Sequence, residues 1–180
     1  RARENVKRLD GPVRASLRAG RDTKVGRRRL DLMRVLQSAA RSADGAFSEC
    51  GASLGAVTTS NGVSWVLGDA LALERLFLNL LLNAAQALER GGRAEVSAAI
   101  DGVDLVVEVK DTGRGISPDD LERVMDPFYS TRADGTGLGL SIARQIAVAH
   151  GGSLRISSVL AEGTTVAVRL PLAAAPSAGV

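Results

Sequence analysis

The chain carries one cysteine, Cys50, in 180 residues. An internal disulfide framework is thereby excluded, and so is a cysteine metal cluster. A reducing, cytoplasmic setting is the expectation. No apolar run approaches the roughly 20 residues that a membrane helix needs. No membrane contact is expected from this stretch, while the full-length protein has room for an anchor elsewhere. The opening residues lack the pattern of a secretory signal, and Arg1 is not expected to be a natural start. Aromatic residues make up only 3% of the chain. That scarcity bears on the charge. Residues 1–41 hold 13 Lys/Arg against four Asp/Glu, and the remainder holds 10 against 16. A basic front segment is one mark of a nucleic-acid binder. Here no aromatic interleaving and no base-reading motif accompanies it. No nucleic-acid partner is expected, and the segment reads as a solvated helix or linker. No internal repeat is visible.

What is present suits one domain with an appendage, since 45% of the residues are hydrophobic. Residues 1–29 read as a polar, arginine-rich helical tail and linker, interrupted by "DGP". From Leu30 the pattern changes, and Leu32, Val35, Leu36 and Ala39 fall at helical spacing. Residues 45–67 read as weakly defined strands. The spacing predicts a long helix over 69–92, capped by Asp69 and ended by Gly91 and Gly92. Leu73, Leu76, Phe77, Leu80, Ala84 and Leu88 form its apolar face, and Asn79, Asn83 and Gln86 share one polar stripe. A hairpin through Asp101 and Gly102 follows. Leu105, Val107 and Val109 of its second strand face one way, and Asp111 keeps that parity, so its carboxylate leaves on the core side. Ser117 and Pro118 open a short helix over about 117–125. Residues 137–150 are helical, with Leu138, Ile142, Ile146 and Ala149 on one face. A closing hairpin turns at Glu162 and Gly163. The domain is expected over 30–172, with a loose tail over 173–180.

Three elements carry chemistry. Gly135, Gly137 and Gly139 alternate at the mouth of a helix. A helix N-terminus has unpaired N–H groups and partial positive charge, and glycines let the backbone approach a ligand closely. Together they suit a phosphate, although a flexible capping loop has the same composition. There is no GxxxxGK[ST], and the run does not follow a strand as a dinucleotide fingerprint requires. Upstream, "DTGRGI" ends a strand in the core-facing Asp111, followed by Gly113 and Gly115. A buried ionised carboxylate needs a donor. The exocyclic amine of adenine is one, and a simple Asx-type turn is the alternative. Third, the Asn79 and Asn83 amides sit in an apolar helix. An amide oxygen suits Mg²⁺, and a hydrogen-bonded amide pair is the alternative. An adenine site, a metal site and a phosphate site in one chain describe bound ATP.

These stretches resemble the boxes of two-component sensor histidine kinases. "LERLFLNLLLNAAQAL" is similar to their N box, "DTGRGI" to the G1 box, "DPFYSTR" to the F box and "GTGLGLSIARQIAVAHGG" to the G2 box. The match covers about residues 69–170, and extends more loosely back to about 30 through "LDLMRVL". The short "YSTR" loop looks like the nitrogen-regulator branch. The resemblance implies an α/β (α+β) two-layer sandwich, a mixed β-sheet covered on one face by helices, known as the Bergerat ATP-binding fold. It implies ATP and Mg²⁺ as cofactors, with Asn83 on the metal and Asn79 supporting the same polar site. Asp111 would accept from the adenine amine, and Gly113 and Gly115 would let the base pack against the backbone. Gly135, Gly137 and Gly139 would form the phosphate lid, with Thr136 and Arg132 as phosphate donors. Phe128 would anchor the lid by packing. Ile116, Thr131, Leu138 and Leu140 complete the implied nucleotide-binding set, and Asn83 with Arg132 the catalytic pair.

Two departures follow. The family's phosphoacceptor is a histidine in an "HE"-type motif on a dimerisation helix. The only histidine here is His150, in "AHGGS", which reads as a helix C-terminal residue facing the macrodipole. The expectation is a catalytic ATP-binding domain apart from its acceptor, with residues 1 to about 20 ending a dimerisation helix. The implied partners are a homodimeric phosphoacceptor domain and a response regulator. Gln86 stands where many relatives carry a basic residue. Three other readings compete: a GHKL-type ATPase, a serine kinase and a non-catalytic ATP-binding module. The ATPase class carries a water-activating Glu four residues before the metal Asn, and here that place is Asn79.

Overall fold

A computed structural model describes residues 27–60, 62, 65–132 and 135–174 of the chain. The expected dimerisation helix and most of the basic linker lie outside the described residues. The linker reading ends sooner than expected, because strand β1 (Arg28–Asp31) pairs antiparallel with β4 (Trp65–Gly68), Leu30 opposite Val66. The two short strands β2 (Ser53–Leu54) and β3 (Thr58–Thr59) both run parallel to β5 (Arg93–Asp101). They continue through β6 (Asp104–Asp111), β8 (Gly163–Pro171) and β7 (Ser153–Val159), all antiparallel neighbours in that order. The sheet is therefore mixed.

Its inner face follows from the period of two. Ala94, Val96 and Ala98 of β5, Leu105, Val107 and Val109 of β6, and Val166, Val168 and Leu170 of β8 are all buried. The outer face is charged, with Arg93 paired to Glu95 at 2.8 Å and Arg169 to Asp101 and Asp104. Three helices cover the inner face: α1 (Leu32–Cys50), α2 (Ala70–Ala87) and α4 (Gly139–Ala149). This is the two-layer architecture that the resemblance implies.

Helix α1 buries Leu32, Val35, Leu36, Ala39, Ala43 and Phe47, and Asp31 caps it by accepting from Met33 N at 3.0 Å. It runs through residues 45–50, which the composition assigned to weak strands; the apolar face continues through Ala43 to Phe47, and Gly51 ends it in the left-handed region at φ 67°. Helix α2 has the expected cap, Asp69, which accepts from Leu71 N and Ala72 N. It ends at Ala87 rather than at the glycines, because Leu88 turns extended and its side chain stays in the core. The β5–β6 turn is Gly102-Val103, one residue later than expected, since Asp101 still pairs with Asp104.

Helix α4 is rotated from its expected face. Ala143, Ala147 and His150 point inward, whereas Ala149 is exposed and Ile146 lies at the flank. Small side chains at the contact let α4 approach α2 closely. The fourth helix, α3 (Pro118–Arg123), buries none of its side chains. Ser117 caps it by accepting from Asp120 N at 3.2 Å.

Candidate functional site

A cavity of about 550 Å³ opens between α2, the ends of β6 and β8, α3 and the N-terminus of α4. The helical period directs Asn79, Asn83 and Gln86 along one stripe of α2, and all three line it. Gly139, the first residue of α4, sits against them. Asn79 Nδ2 donates to its carbonyl at 3.4 Å, and a Cβ there would lie 3.5 Å from the Asn83 amide. Among the described residues no side chain caps α4, and the helix start with its first N–H groups lies at the cavity.

Asp111 ends β6 with only 6% of its surface exposed. Its Oδ1 accepts from Gly113 N at 2.9 Å, and the backbone N–H of Thr164, opposite it in the β6–β8 register, lies near enough to favour the charged form. Burial nevertheless pushes the carboxyl above the ordinary carboxylate value, with the two N–H donors opposing. A carboxylate has more acceptor capacity than two donors fill, and the rest of the group faces the cavity. Thr164 stands opposite Asp111 in the β6–β8 register and also lines the cavity. Its Oγ1 lies 2.9 Å from Ser158 Oγ, which accepts from Ile116 N at 2.9 Å. Sequence reasoning missed Thr164. Its signal was the parity it shares with Val166, Val168 and Leu170.

Most of the expected residues converge. Gly115, Ile116, Thr131, Arg132, Gly135, Thr136, Gly137 and Leu140 line the same cavity as Asn79, Asn83, Asp111 and Gly139. Arg132 donates through Nη1 to Gln86 Oε1, which brings a guanidinium over the asparagine stripe. Residues 133 and 134 lie outside the described residues.

Three expected residues stand elsewhere. Gly113 does not line the cavity; its smallness serves a close approach, since a Cβ would fall 2.5 Å from the Ala87 carbonyl oxygen. Leu138 precedes α4 without lining the cavity. The Phe128 side chain does not anchor the lid by packing, because it is 77% exposed. Its backbone makes the connection instead, Phe128 N donating to Gly137 O at 2.9 Å. Gly137 has φ 65°, and a Cβ there would meet Phe128 C at 2.4 Å, so the two peptides lie in direct contact.

His150 is buried at 6% exposure. Its Nε2 accepts from Asp69 N at 3.1 Å, and its Nδ1 donates to Ile146 O at 2.7 Å. Both ring nitrogens are occupied, well removed from the cavity lining.

The arrangement offers a buried acceptor for a donor-bearing base, an amide stripe for a hard cation, and open N–H groups with a guanidinium for phosphate. Comparison with known proteins identifies the family. The family model described as Histidine kinase-, DNA gyrase B-, and HSP90-like ATPase matches residues 68–174. Sensor histidine kinase ZraS of Salmonella typhimurium is 37% identical over 118 residues, 65% of this chain and 25% of that protein. Histidine protein kinase DivJ of Caulobacter vibrioides is 50% identical over 114 residues, 60% of this chain and 19% of that protein. The chain thus spans a quarter or less of these curated relatives. Among solved structures, the mycobacterial sensor histidine kinase MprB superposes with TM-score 0.71 at 30% identity, over 81% of this chain and 97% of that one. Full-length ShkA in complex with AMPPNP superposes with TM-score 0.75 at 28% identity, over 86% of this chain and 33% of that one. The chain belongs to the histidine kinase-, DNA gyrase B- and HSP90-like ATPase family, and its homologues are sensor histidine kinases.

Proposed function

We propose that this chain is the ATP-binding catalytic region of a protein-histidine kinase. It would transfer the γ-phosphoryl group of ATP to a histidine on a homodimeric phosphoacceptor domain not in this chain, for relay to a response regulator. The observation that carries this reading is the convergence of Asp111, the Asn79–Asn83 stripe and the start of α4 on one cavity. A solved relative holding AMPPNP supports ATP as the nucleotide.

Asp111 accepts from the adenine amine and so selects the base. The α4 N–H groups and Arg132 take the phosphates, and Thr131 and Thr136 stand ready as further donors. The Asn83 amide oxygen would hold a magnesium ion, which would screen the charge on the phosphates. Phosphoryl transfer asks the protein mainly for positioning and charge stabilisation. None of these roles needs a general base on α2.

That point separates the reading from an ATP-hydrolysing relative. Asn79 stands four residues before Asn83, and an amide cannot take a proton from water at neutral pH. His150, with both nitrogens engaged, cannot serve as acceptor without breaking its two hydrogen bonds.

The test is calorimetry of the chain with ATP and Mg²⁺, followed by transfer of labelled phosphate to a separate dimerisation domain bearing a histidine. Tight binding and acid-labile label on that domain are expected. Steady ATP hydrolysis with no transfer would assign the chain to the hydrolytic branch instead.

A further inference from the structure

Tyr129 lies within the stretch that resembles the F box, but no role is assigned to its side chain there. It stands between the exposed Phe128 and the cavity residues Thr131 and Arg132, and it lines the cavity itself. Its hydroxyl donates to Asp120 Oδ1 at 2.5 Å. The other carboxylate oxygen of Asp120 accepts from Ser117 Oγ at 2.8 Å. Arg123, one turn along the same helix, places its guanidinium 4.2 Å from the Tyr129 ring centroid. Two residues of α3 therefore hold one side chain, and the cap Ser117 holds one of those two. Because α3 buries none of its own side chains, the core does little to fix it.

On its other side Tyr129 belongs to the peptide on which Gly137 rests. A Cβ at Gly137 would meet Tyr129 N at 2.6 Å, and Phe128 N donates to Gly137 O. Gly137 stands two residues before the first residue of α4. A continuous set of contacts thus runs from α3 through Tyr129 and Gly137 to the helix start that faces the asparagine stripe.

We propose that Tyr129 is a positioning residue of the nucleotide site: its hydrogen bond to Asp120 fastens residues 128–132 to α3 and so sets where Arg132 and the α4 N-terminus meet phosphate. The inference rests on the nucleotide reading above for its consequence, but not for its geometry. It requires that the hydroxyl matter for the phosphates and not for the base, because Asp111 and Thr164 lie on the sheet, which that segment does not hold.

Tyr129 is the only tyrosine in the chain, so tyrosinate absorbance reads it alone. The hydrogen bond to Asp120 raises its phenol above the ordinary tyrosine value, with burial and the charges of Asp120 and Asp119 adding and Arg123 opposing. Alkaline titration of the 180-residue chain without nucleotide should show that elevation, and Asp120→Ala should return it toward the ordinary value. Titration at the ordinary value in the unsubstituted chain would overturn the latch whatever the chain binds. Calorimetry then compares ATP with adenosine, both with Mg²⁺. Tyr129→Phe should weaken ATP by about three- to tenfold, the range for one hydrogen bond, and leave adenosine unchanged. Equal loss for both ligands, or no loss for either, would overturn the positioning role. If the unsubstituted chain binds neither ligand, the nucleotide reading fails and takes the positioning role with it, whereas the titration still decides the latch.

Discussion

His150 Nε2 accepts the backbone N–H of Asp69 at 3.1 Å, across 81 positions of sequence. Asp69 is the residue whose side chain caps α2. The imidazole thus joins the end of α4 to the start of the helix that carries the asparagine stripe. A Cβ on the neighbouring Gly68 would lie 2.8 Å from the ring, so the fit is close. Replacing His150 by alanine should leave that N–H unpaired beside a cavity and cost about 2–4 kcal/mol. Thermal or denaturant unfolding checks the loss. The unsubstituted chain, given labelled ATP, should acquire no acid-labile phosphate; label on His150 would overturn its structural assignment.

Asn83→Ala removes the one amide oxygen assigned to the metal. Mg²⁺-dependent ATP affinity should fall by about tenfold or more, since losing even a residue that only supports a metal ligand costs that much. Phosphotransfer in the full-length protein should be abolished. Titrations with and without Mg²⁺ on both forms decide this. Equal affinities in all four, with transfer intact, would remove Asn83 from the metal.

The role proposed for Asp111 makes it the residue that sets base choice. Guanine presents a carbonyl oxygen where adenine presents an amine, so two acceptors would face each other. A charged hydrogen bond is worth roughly 1.5–3 kcal/mol, and ATP should bind about ten- to a hundredfold tighter than GTP. Asp111→Asn should lose ATP affinity and narrow the gap. Calorimetry with both nucleotides tests it, and an unchanged ATP/GTP ratio would take Asp111 out of the adenine site.

The same substitution should stabilise the nucleotide-free fold. Burial raises the Asp111 carboxyl above its unfolded value of 3.8, so the folded state favours the proton. The stability this confers is fully present below 3.8 and is lost as pH rises through the raised folded value. At neutral pH the ionised group is a net cost that asparagine does not carry. Asp111→Asn should therefore raise Tm at neutral pH. The difference in Tm should widen with pH and vanish in acid; a constant difference would mean burial of the charge is not its source.

Gly115→Ala tests the floor of the cavity. Gly115 has φ 67°, and a Cβ would fall 2.1 Å from the Val159 carbonyl oxygen. The backbone strain falls on the loop after β6, and the clash falls on the β7–β8 turn. A loss of about 2–4 kcal/mol is expected, measured by denaturant unfolding. A stability within experimental error of the unsubstituted chain would show that the turn yields freely.

Periodicity alone determined which side of an element a residue takes. The period of two sent Asp111 inward with Leu105, Val107 and Val109, and the helical period aligned Asn79, Asn83 and Gln86 along α2. Both follow from backbone geometry within one element, which needs no partner. The Asp69 and Ser117 caps were legible for the same reason, since each acts within three residues. Tertiary structure decided what those sides meet. It turned α4 so that Ala143, Ala147 and His150 face in, because closeness to α2 favoured small side chains over the larger ones that hydropathy selects. It put Thr164 opposite Asp111 through a strand register 53 residues apart in sequence, brought Arg28 into a strand through β4, and left Phe128 exposed while its backbone held Gly137. Tyr129 met Asp120 only because residues 128–132 fold back on α3. Contacts between elements depend on the shapes packed between them, and no local pattern in the chain encodes that.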